Sequence, residues 1–324
     1  MKWTHTIFKK LIFNGLALLL LLGLFLIQTT LASAPMAKTQ VPGYFRMPLG
    51  DYEVTALYDG HTEFGLEVLM GAKPKEIQAL LGRSSLPENG ISASVIAYLI
   101  NTGMQLILVD TGAGGFWKGL GALMDNVKAA GYSPEQVDLV LLTHLHVDHD
   151  GGLLTGDGKA AFPNAEIRMA KAENDFWTSA DNMKKAPESL KGMYTLAQTA
   201  VSVYQGRWKP FTDETELVPG IKPVPLSGHT VGHTGYQITS KGQTMLIWGD
   251  IVHSAAVQIP KPDVAFAFDT DPQMAVSTRE SLLKRAVTEG LMVAGSHLPY
   301  PGIGRLQKEK GEYRWNPVEY TSIP

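Results

Sequence analysis

The chain has 324 residues, 44% hydrophobic and 18% charged, an ordinary globular composition with room for a substantial core. It has no cysteine, so disulfides, thiolate metal sites and cysteine nucleophiles are excluded, and any transition metal must be held by His, Asp or Glu. The formal charge is −3 and no basic run occurs in the globular part, a poor match to a phosphate backbone.

Lys2, Lys9 and Lys10 precede an apolar run from Leu11 to Ile27, interrupted by Asn14, Gly15 and Gly23. Small residues follow at Ala32, Ser33 and Ala34. This is the order of an export signal, and Pro35 shifts the expected cleavage from Ala34 to Ala32. The run also approaches the length of a membrane span, so retention as an N-terminal anchor is the alternative. Removing residues 1–34 takes away three lysines and no acid, which moves the formal charge from −3 to −6. The expected location is periplasmic or secreted, or membrane-anchored if the segment stays. Residues 35–43 read as a linker and 44–324 as one domain.

Alternation of apolar and polar residues predicts strands at 44–47 and 51–57, with Asp59-Gly60 as a turn. Lys75 to Leu81 suits a short helix. Strands at 94–100 and 105–109 are joined by Asn101-Thr-Gly103, and the second runs into Asp110-Thr-Gly-Ala-Gly114. Leu120, Leu123, Met124 and Val127 have helical spacing, with Gly131 as a stop. Ser133-Pro-Glu-Gln136 reads as a capped helix start. Asp138 to Thr143 is a short buried strand.

That strand delivers His144-Leu-His-Val-Asp-His149, followed by Gly151 and Gly152. Three of the nine histidines fall within six residues, which packing alone hardly explains. Imidazole suits zinc and its neighbours, carboxylate adds a harder donor, and so many donors suit one metal or two. Further on, a strand at 165–169, broken helices over 171–204 and a strand at 221–226 lead to Gly228-His-Thr-Val-Gly-His233. Either His229 or His233 could be a ligand. A strand at 244–248 ends at Gly249-Asp250, a helix spans 271–288, and a strand at 291–294 ends at His297. Short apolar runs thus end repeatedly at Asp110, His144, Asp250 and His297, and more weakly near His229. Such residues converge only if their strands share a sheet or face one another.

The ordered set Leu-Val-Asp110-Thr-Gly, Thr-His144-x-His-x-Asp-His149-x-Gly-Gly, Gly-His229-Thr-x-Gly-His233, Gly-Asp250 and His297 resembles the metallo-β-lactamase superfamily over roughly residues 44–320. The resemblance implies a four-layer αββα sandwich with a metal site at one edge. Pro42-Gly-Tyr-Phe-Arg-Met47, Leu49 to Leu57, Ala172 to Trp177, Leu217 to Lys222 and Pro301-Gly-Ile-Gly304 are similar to the branch of methyl parathion hydrolase and its lactone- and aryl-ester-cleaving relatives.

Residue by residue, that likeness assigns His144, His146 and His229 to one divalent ion and Asp148, His149 and His297 to a second. Asp250 and a hydroxide would bridge the two. Zinc is the first expectation, with manganese, iron or cobalt as other ions such donors accept. Two cations about 3.5–4 Å apart activate water and polarise an electrophile together. Asp148 also becomes the candidate to orient the nucleophile or take a proton. Asp110 and His233 take supporting roles behind the ligands.

The likeness also places Phe116, Trp177, Tyr194, Phe266 and Phe268 in segments that wall the substrate site. His253, three residues past Asp250, either faces the pocket or is structural. No Lys or Arg stands out to bind an anionic substrate, so the expected partner is a small neutral apolar molecule. His253, where organophosphate-specialised relatives are aliphatic, and the two Phe residues suit a planar lactone or aryl ester, with phosphotriester cleavage secondary. A dedicated phosphotriesterase is the alternative, and a redox enzyme of the same fold stands further off. Relatives of this kind are often homodimers.

Overall fold

The computed structural model describes residues 34–212 and 216–322, so the segment expected to direct export, residues 1–34, lies outside the described residues but for Ala34. The chain divides at Val41, and the unit from Pro42 onward carries everything below. No helix among the described residues is long and apolar enough to cross a membrane.

The first half builds strands β1 (Tyr44–Leu49), β2 (Tyr52–Phe64), β3 (Leu69–Met70), β4 (Ile91–Asn101), β5 (Leu106–Val109), β6 (Leu139–Leu141) and β7 (Glu166–Arg168). Between them lie helices α1 (Pro74–Arg83), α2 (Leu123–Ala129) and α3 (Val147–Asp150), and α4 (Lys171–Trp177), α5 (Ala180–Lys185) and α6 (Lys191–Val203) follow. The second half adds β8 (Ile221–Pro225), β9 (Thr234–Ser240), β10 (Gln243–Ile247), α7 (Ala255–Gln258), β11 (Ala265–Phe266), α8 (Pro272–Glu289), β12 (Met292–Ala294), β13 (Ile303–Glu309) and β14 (Glu312–Pro317).

Two mixed six-stranded sheets result, ordered β1-β2-β4-β5-β6-β7 and β14-β13-β12-β10-β9-β8, beside a small β11-β3 pair. Period-two alternation sorts their side chains into layers. Ile107, Val109, Leu139 and Leu141 of the first sheet meet Tyr236, Met245 and Ile247 of the second in the central core. Their neighbours Leu106, Leu108 and Val140 turn the other way, onto α2 and α6 through Val127, Leu196 and Ala200. Leu246 and Val293 likewise turn out onto Leu282, Leu283 and Ala286 of α8. This is the αββα sandwich.

Three local expectations are corrected. Asp59-Gly60 is no turn: β2 runs through it, with a bulge between Tyr58 and Gly60 and continuous pairing to β4. Asp59 accepts hydrogen bonds from the backbone N–H of Ala113 and Leu123 instead. The helix read from Leu120 begins at Leu123, because the glycines at 119 and 121 have positive φ. Ser133-Pro-Glu-Gln136 makes only one 3₁₀ turn, although Gln136 Oε1 does accept from the Ser133 N–H at 2.7 Å.

The loops after β5 and β6 pack backbone on backbone. Thr111 N–H donates to His149 O at 2.7 Å, and Gly152 N–H donates to Gly112 O at 2.9 Å. A Cβ on Gly152 would lie 1.9 Å from Thr111 O. Gly152→Ala is therefore expected to cost about 1–3 kcal/mol of stability, since backbone must shift. A urea midpoint equal to that of the wild-type protein would contradict this.

Candidate metal centre

Each cluster residue leaves the C-terminal end of a strand. Asp110 follows β5; His144, His146, Asp148 and His149 follow β6; His229 follows β8; Asp250 follows β10; His297 follows β12. β5 and β6 lie in one sheet and β8, β10 and β12 in the other, so the cluster sits where the two sheets' edges meet.

Asp250 is at its centre. Its Oδ2 lies 2.9 Å from His297 Nε2, 3.3 Å from His229 Nε2, 3.3 Å from His253 Nε2 and 3.7 Å from His144 Nε2. Its Oδ1 lies 3.2 Å from His149 Nε2. His146 turns Nδ1 toward His229 Nε2 at 3.1 Å. Asp148 Oδ2 is 3.5 Å from His297 Nε2 and 3.6 Å from His149 Nε2. The donor atoms group as His144, His146, His229 and as Asp148, His149, His297, with Asp250 grouped with residues of both sets. Two of the four possible groups contain the residues of the two ligand sets that the family likeness assigns, and a further group joins His253 to His229 and Asp250.

The donors fit divalent cations. His144 Nε2, His149 Nε2 and Asp250 Oδ1 are buried without any hydrogen-bond partner. Such orphaned atoms are costly, and a metal would satisfy them.

The outer ring nitrogens are held from behind. His149 Nδ1 pairs with Asp110 Oδ2 at 2.9 Å and His229 Nδ1 with Asp269 Oδ1 at 2.8 Å. His297 Nδ1 meets Ser94 O at 2.7 Å, and His144 Nδ1 meets Thr143 Oγ1 at 3.0 Å. Thr143 is fixed in turn by Asp110, which accepts from its N–H and its hydroxyl. Asp110 thus hydrogen-bonds both His149 and the residue before His144. His233 Nε2 accepts from the Asp250 N–H at 3.0 Å and its Nδ1 contacts Leu226 O at 3.1 Å. Both its nitrogens are spent on backbone, which leaves His229 as the residue free to face a metal. Burial pushes His233 down to about 3, so it stays neutral.

Sequence reasoning missed Glu173, Asp59 and Asp269. Glu173 is fully buried in α4 and accepts four hydrogen bonds, from Leu145 N–H, Trp177 Nε1, Thr230 Oγ1 and Gly232 N–H. It ties the His144–His146 loop to the His229 loop. Its only signal in the sequence was Trp177 four residues on, one helical turn away.

The metal-facing cavity is lined by Phe64, Trp117, Met193, His253, Phe266 and Phe268 above the ligand atoms. Phe266 and Phe268 are thus in the wall where the likeness suggested, and His253, for which two readings stood open, faces the cavity. Phe116 is not: it is 60% exposed, and its neighbour Trp117 lines the cavity. Tyr194 is core, its ring tilted at 49° against Trp177 with centroids 4.8 Å apart, and Met193 takes the wall position. Trp177 is buried behind His146, edge-on at 5.4 Å, with its N–H spent on Glu173. Phe64 came from β2, which nothing in the sequence had linked to the site.

A model of the metallo-beta-lactamase superfamily matches residues 93–297. An N-acyl homoserine lactonase of Bacillus cereus is 26% identical over 260 residues, covering 72% of this chain and 92% of the relative. Among solved structures, the β-lactamase-superfamily hydrolase AbOPH is 36% identical with a TM-score of 0.83, over 88% of this chain and 100% of that one. AidC, a dizinc quorum-quenching lactonase in complex with a product N-hexnoyl-L-homoserine, is 28% identical with a TM-score of 0.82, over 86% and 99%.

Two outcomes follow. In the metal-free protein His229 is pushed up to about 9, burial opposing its charge and the carboxylates of Asp250 and Asp269 prevailing. The same contest raises His149 and His297. Protons must leave these rings before a cation binds. Zinc affinity is therefore expected to climb as the pH rises toward about 9, with proton release on uptake, in competition titrations. An affinity flat across that range would contradict the assignment. Asp269→Ala is expected to weaken zinc binding about 10–100-fold while the far-UV circular dichroism stays native.

Proposed function

We propose that this chain, which belongs to the metallo-β-lactamase superfamily and is a metal-dependent hydrolase, cleaves neutral lactones or aryl esters, with phosphotriester cleavage as a side activity. The observation that carries this reading is the shape of the space above the ligands. It amounts to about 30 Å³, room for roughly two waters. Its walls are rings apart from Met193: Phe64, Trp117, Phe266, Phe268 and the imidazole of His253, which stacks on Phe266 at 3.8 Å. A flat acyl group enters such a slot edge-on. A tetrahedral phosphorus with three ester arms needs width in every direction.

The walls contain no Lys or Arg. Burial pushes His253 down to about 4, so the ring is neutral at neutral pH. A neutral substrate fits these walls better than an anion. The lactonase names among the relatives favour a lactone over an aryl ester.

His144, His146 and His229 would hold one divalent ion, Asp148, His149 and His297 the other, and Asp250 both. When bound, two such ions, zinc first given the dizinc relative, supply Lewis acidity to an acyl oxygen and lower the pKa of water. The chain's own residues do the rest. Asp148 has 15% of its side chain exposed against 3% for Asp250. Burial raises it, but His149 and His297 prevail and keep it ionised. It would be the carboxylate that accepts a hydrogen bond from the attacking water. The aromatic walls hold the acyl plane and exclude other water. The export reading of residues 1–34 would put this activity outside the cytoplasm.

The test compares kcat/KM for an aromatic lactone and a dialkyl aryl phosphotriester on protein loaded with zinc or manganese. The lactone is expected to lead by about 100-fold, the scale a pocket wall commands. Phe268→Ala, which widens the mouth, moves the ratio toward the triester. A wild-type ratio favouring the triester would overturn the reading and make the protein a phosphotriesterase.

A further inference from the structure

The two ligand sets are held from behind by different parts of the chain. In the second set, His149 Nδ1 pairs with Asp110, its backbone O accepts from the N–H and hydroxyl of Thr111, and His297 Nδ1 meets the Ser94 carbonyl. These partners belong to β4 and to the loop after β5. Asp110 also reaches the first set, through Thr143 and His144. The rest of the first set leans on α4. Glu173, in the first turn of that helix, is fully buried. Its Oε1 accepts from the Leu145 N–H at 3.0 Å and from Trp177 Nε1 at 2.8 Å. Its Oε2 accepts from Thr230 Oγ1 and from the Gly232 N–H, both at 2.8 Å. Leu145 stands between His144 and His146, and Thr230 follows His229. None of the four donors is next in sequence to Asp148, His149 or His297.

Three further observations point the same way. Among the described residues the ring of His146 makes one hydrogen bond, to His229. Trp177 backs that ring instead, edge-on at 5.4 Å, and Glu173 holds the Trp177 N–H. A Cβ on Gly232 would lie 2.3 Å from the Glu173 backbone N, so the His229 loop is pressed onto α4 without slack. Charge is the third. Apart from the shared Asp250, the first set is three imidazoles, whereas the second contains Asp148. Every partner of Glu173 donates, as an ionised carboxyl requires. Its negative charge therefore lies behind the set that has none of its own.

We infer that Glu173 is a positioning residue for one ion of the two. It sets the affinity of the site formed by His144, His146 and His229, and leaves the site of Asp148, His149 and His297 to Asp110 and Ser94. The inference rests on the two ligand sets of the hydrolase reading above. It makes the two sites separately adjustable, through a residue that lies outside the wall of the metal-facing cavity.

Single-site proteins test it. His297→Ala keeps the first set whole and His146→Ala keeps the second. Each is expected to bind one zinc instead of two, counted by elemental analysis after gel filtration. Glu173→Gln keeps the shape of the side chain and removes its charge. In the His297→Ala protein it is expected to weaken zinc about 10–100-fold, read by competition with a chromophoric chelator. In the His146→Ala protein the change stays within about twofold, as for independent sites. If Glu173→Gln does not fold, Thr230→Val takes its place, since it removes one of the four donors. Its expected loss is about fivefold, in the His297→Ala protein alone, and Thr230→Ser restores the affinity. Equal losses in both single-site proteins would reduce Glu173 to a general structural role and overturn the inference. No loss in either would overturn it as well. Both of those results leave the ligand sets standing. A zinc count that stays at two in both single-site proteins instead refutes the ligand sets, and the inference falls with them.

Discussion

One carboxylate faces five imidazoles. The side chain of Asp250 lies within 3.7 Å of His144, His149, His229, His253 and His297, all of them buried. In a dry interior such a group is held together only by charge of the right sign at the right place. Protons do part of this in the metal-free protein, where the carboxylates lift His149, His229 and His297 against burial. They do it incompletely, because His144 Nε2, His149 Nε2 and Asp250 Oδ1 remain orphaned. Cations satisfy all of these at once. The surrounding structure reads as the means of keeping these rings aimed inward.

That means is mostly polar and mostly out of sight. Asp110, Asp269, Thr143 and the Ser94 carbonyl hold the outer ring nitrogens of His149, His229, His144 and His297, so each of these four has one nitrogen left for the centre. Glu173 is buried more completely than any ligand could tolerate alone, yet its four donors satisfy both oxygens. Burial raises its carboxyl while these hydrogen bonds work to lower it. Arg279 does similar service behind Asp250, donating to the carbonyls of Ile251, Pro262 and Val264. Such networks are stiff when complete, and stiffness is what a metal site of fixed geometry requires.

The ligands were legible because buried strands are short apolar runs, and a polar residue that ends one stands out. His144, Asp250 and His297 each end such a run, and the sandwich follows from strands that must converge there. Glu173 and Asp59 were not legible, since a buried carboxylate satisfied by backbone N–H groups leaves no pattern in the sequence. Nor could the sequence say which of Phe116 and Trp117 faces the cavity. The loop between β5 and α2 turns on glycines with positive φ at 112, 114, 115, 119 and 121, and side-chain direction has no period there. β9 escaped notice because Thr234 to Ser240 starts directly from the His233 motif. β13 and β14 escaped because their outer residues are polar.

The division of labour in the chain bears on specificity. The metal ligands come from strand ends that the two-sheet core fixes rigidly. The walls of the metal-facing cavity come from the far end of β2, the β5–α2 loop, α6 and the β11 turn, none of which carries a residue of the ligand cluster. Changes in those walls leave the ligand cluster intact, so one set of ligands is compatible with substrates of different shape. His253 is the exception. It lies against Asp250 and also lines the cavity above the ligands, so it belongs to the cluster and to the wall together. A substitution there changes both at once. A change at Phe268 therefore alters the cavity wall more cleanly than a change at His253, which also touches Asp250.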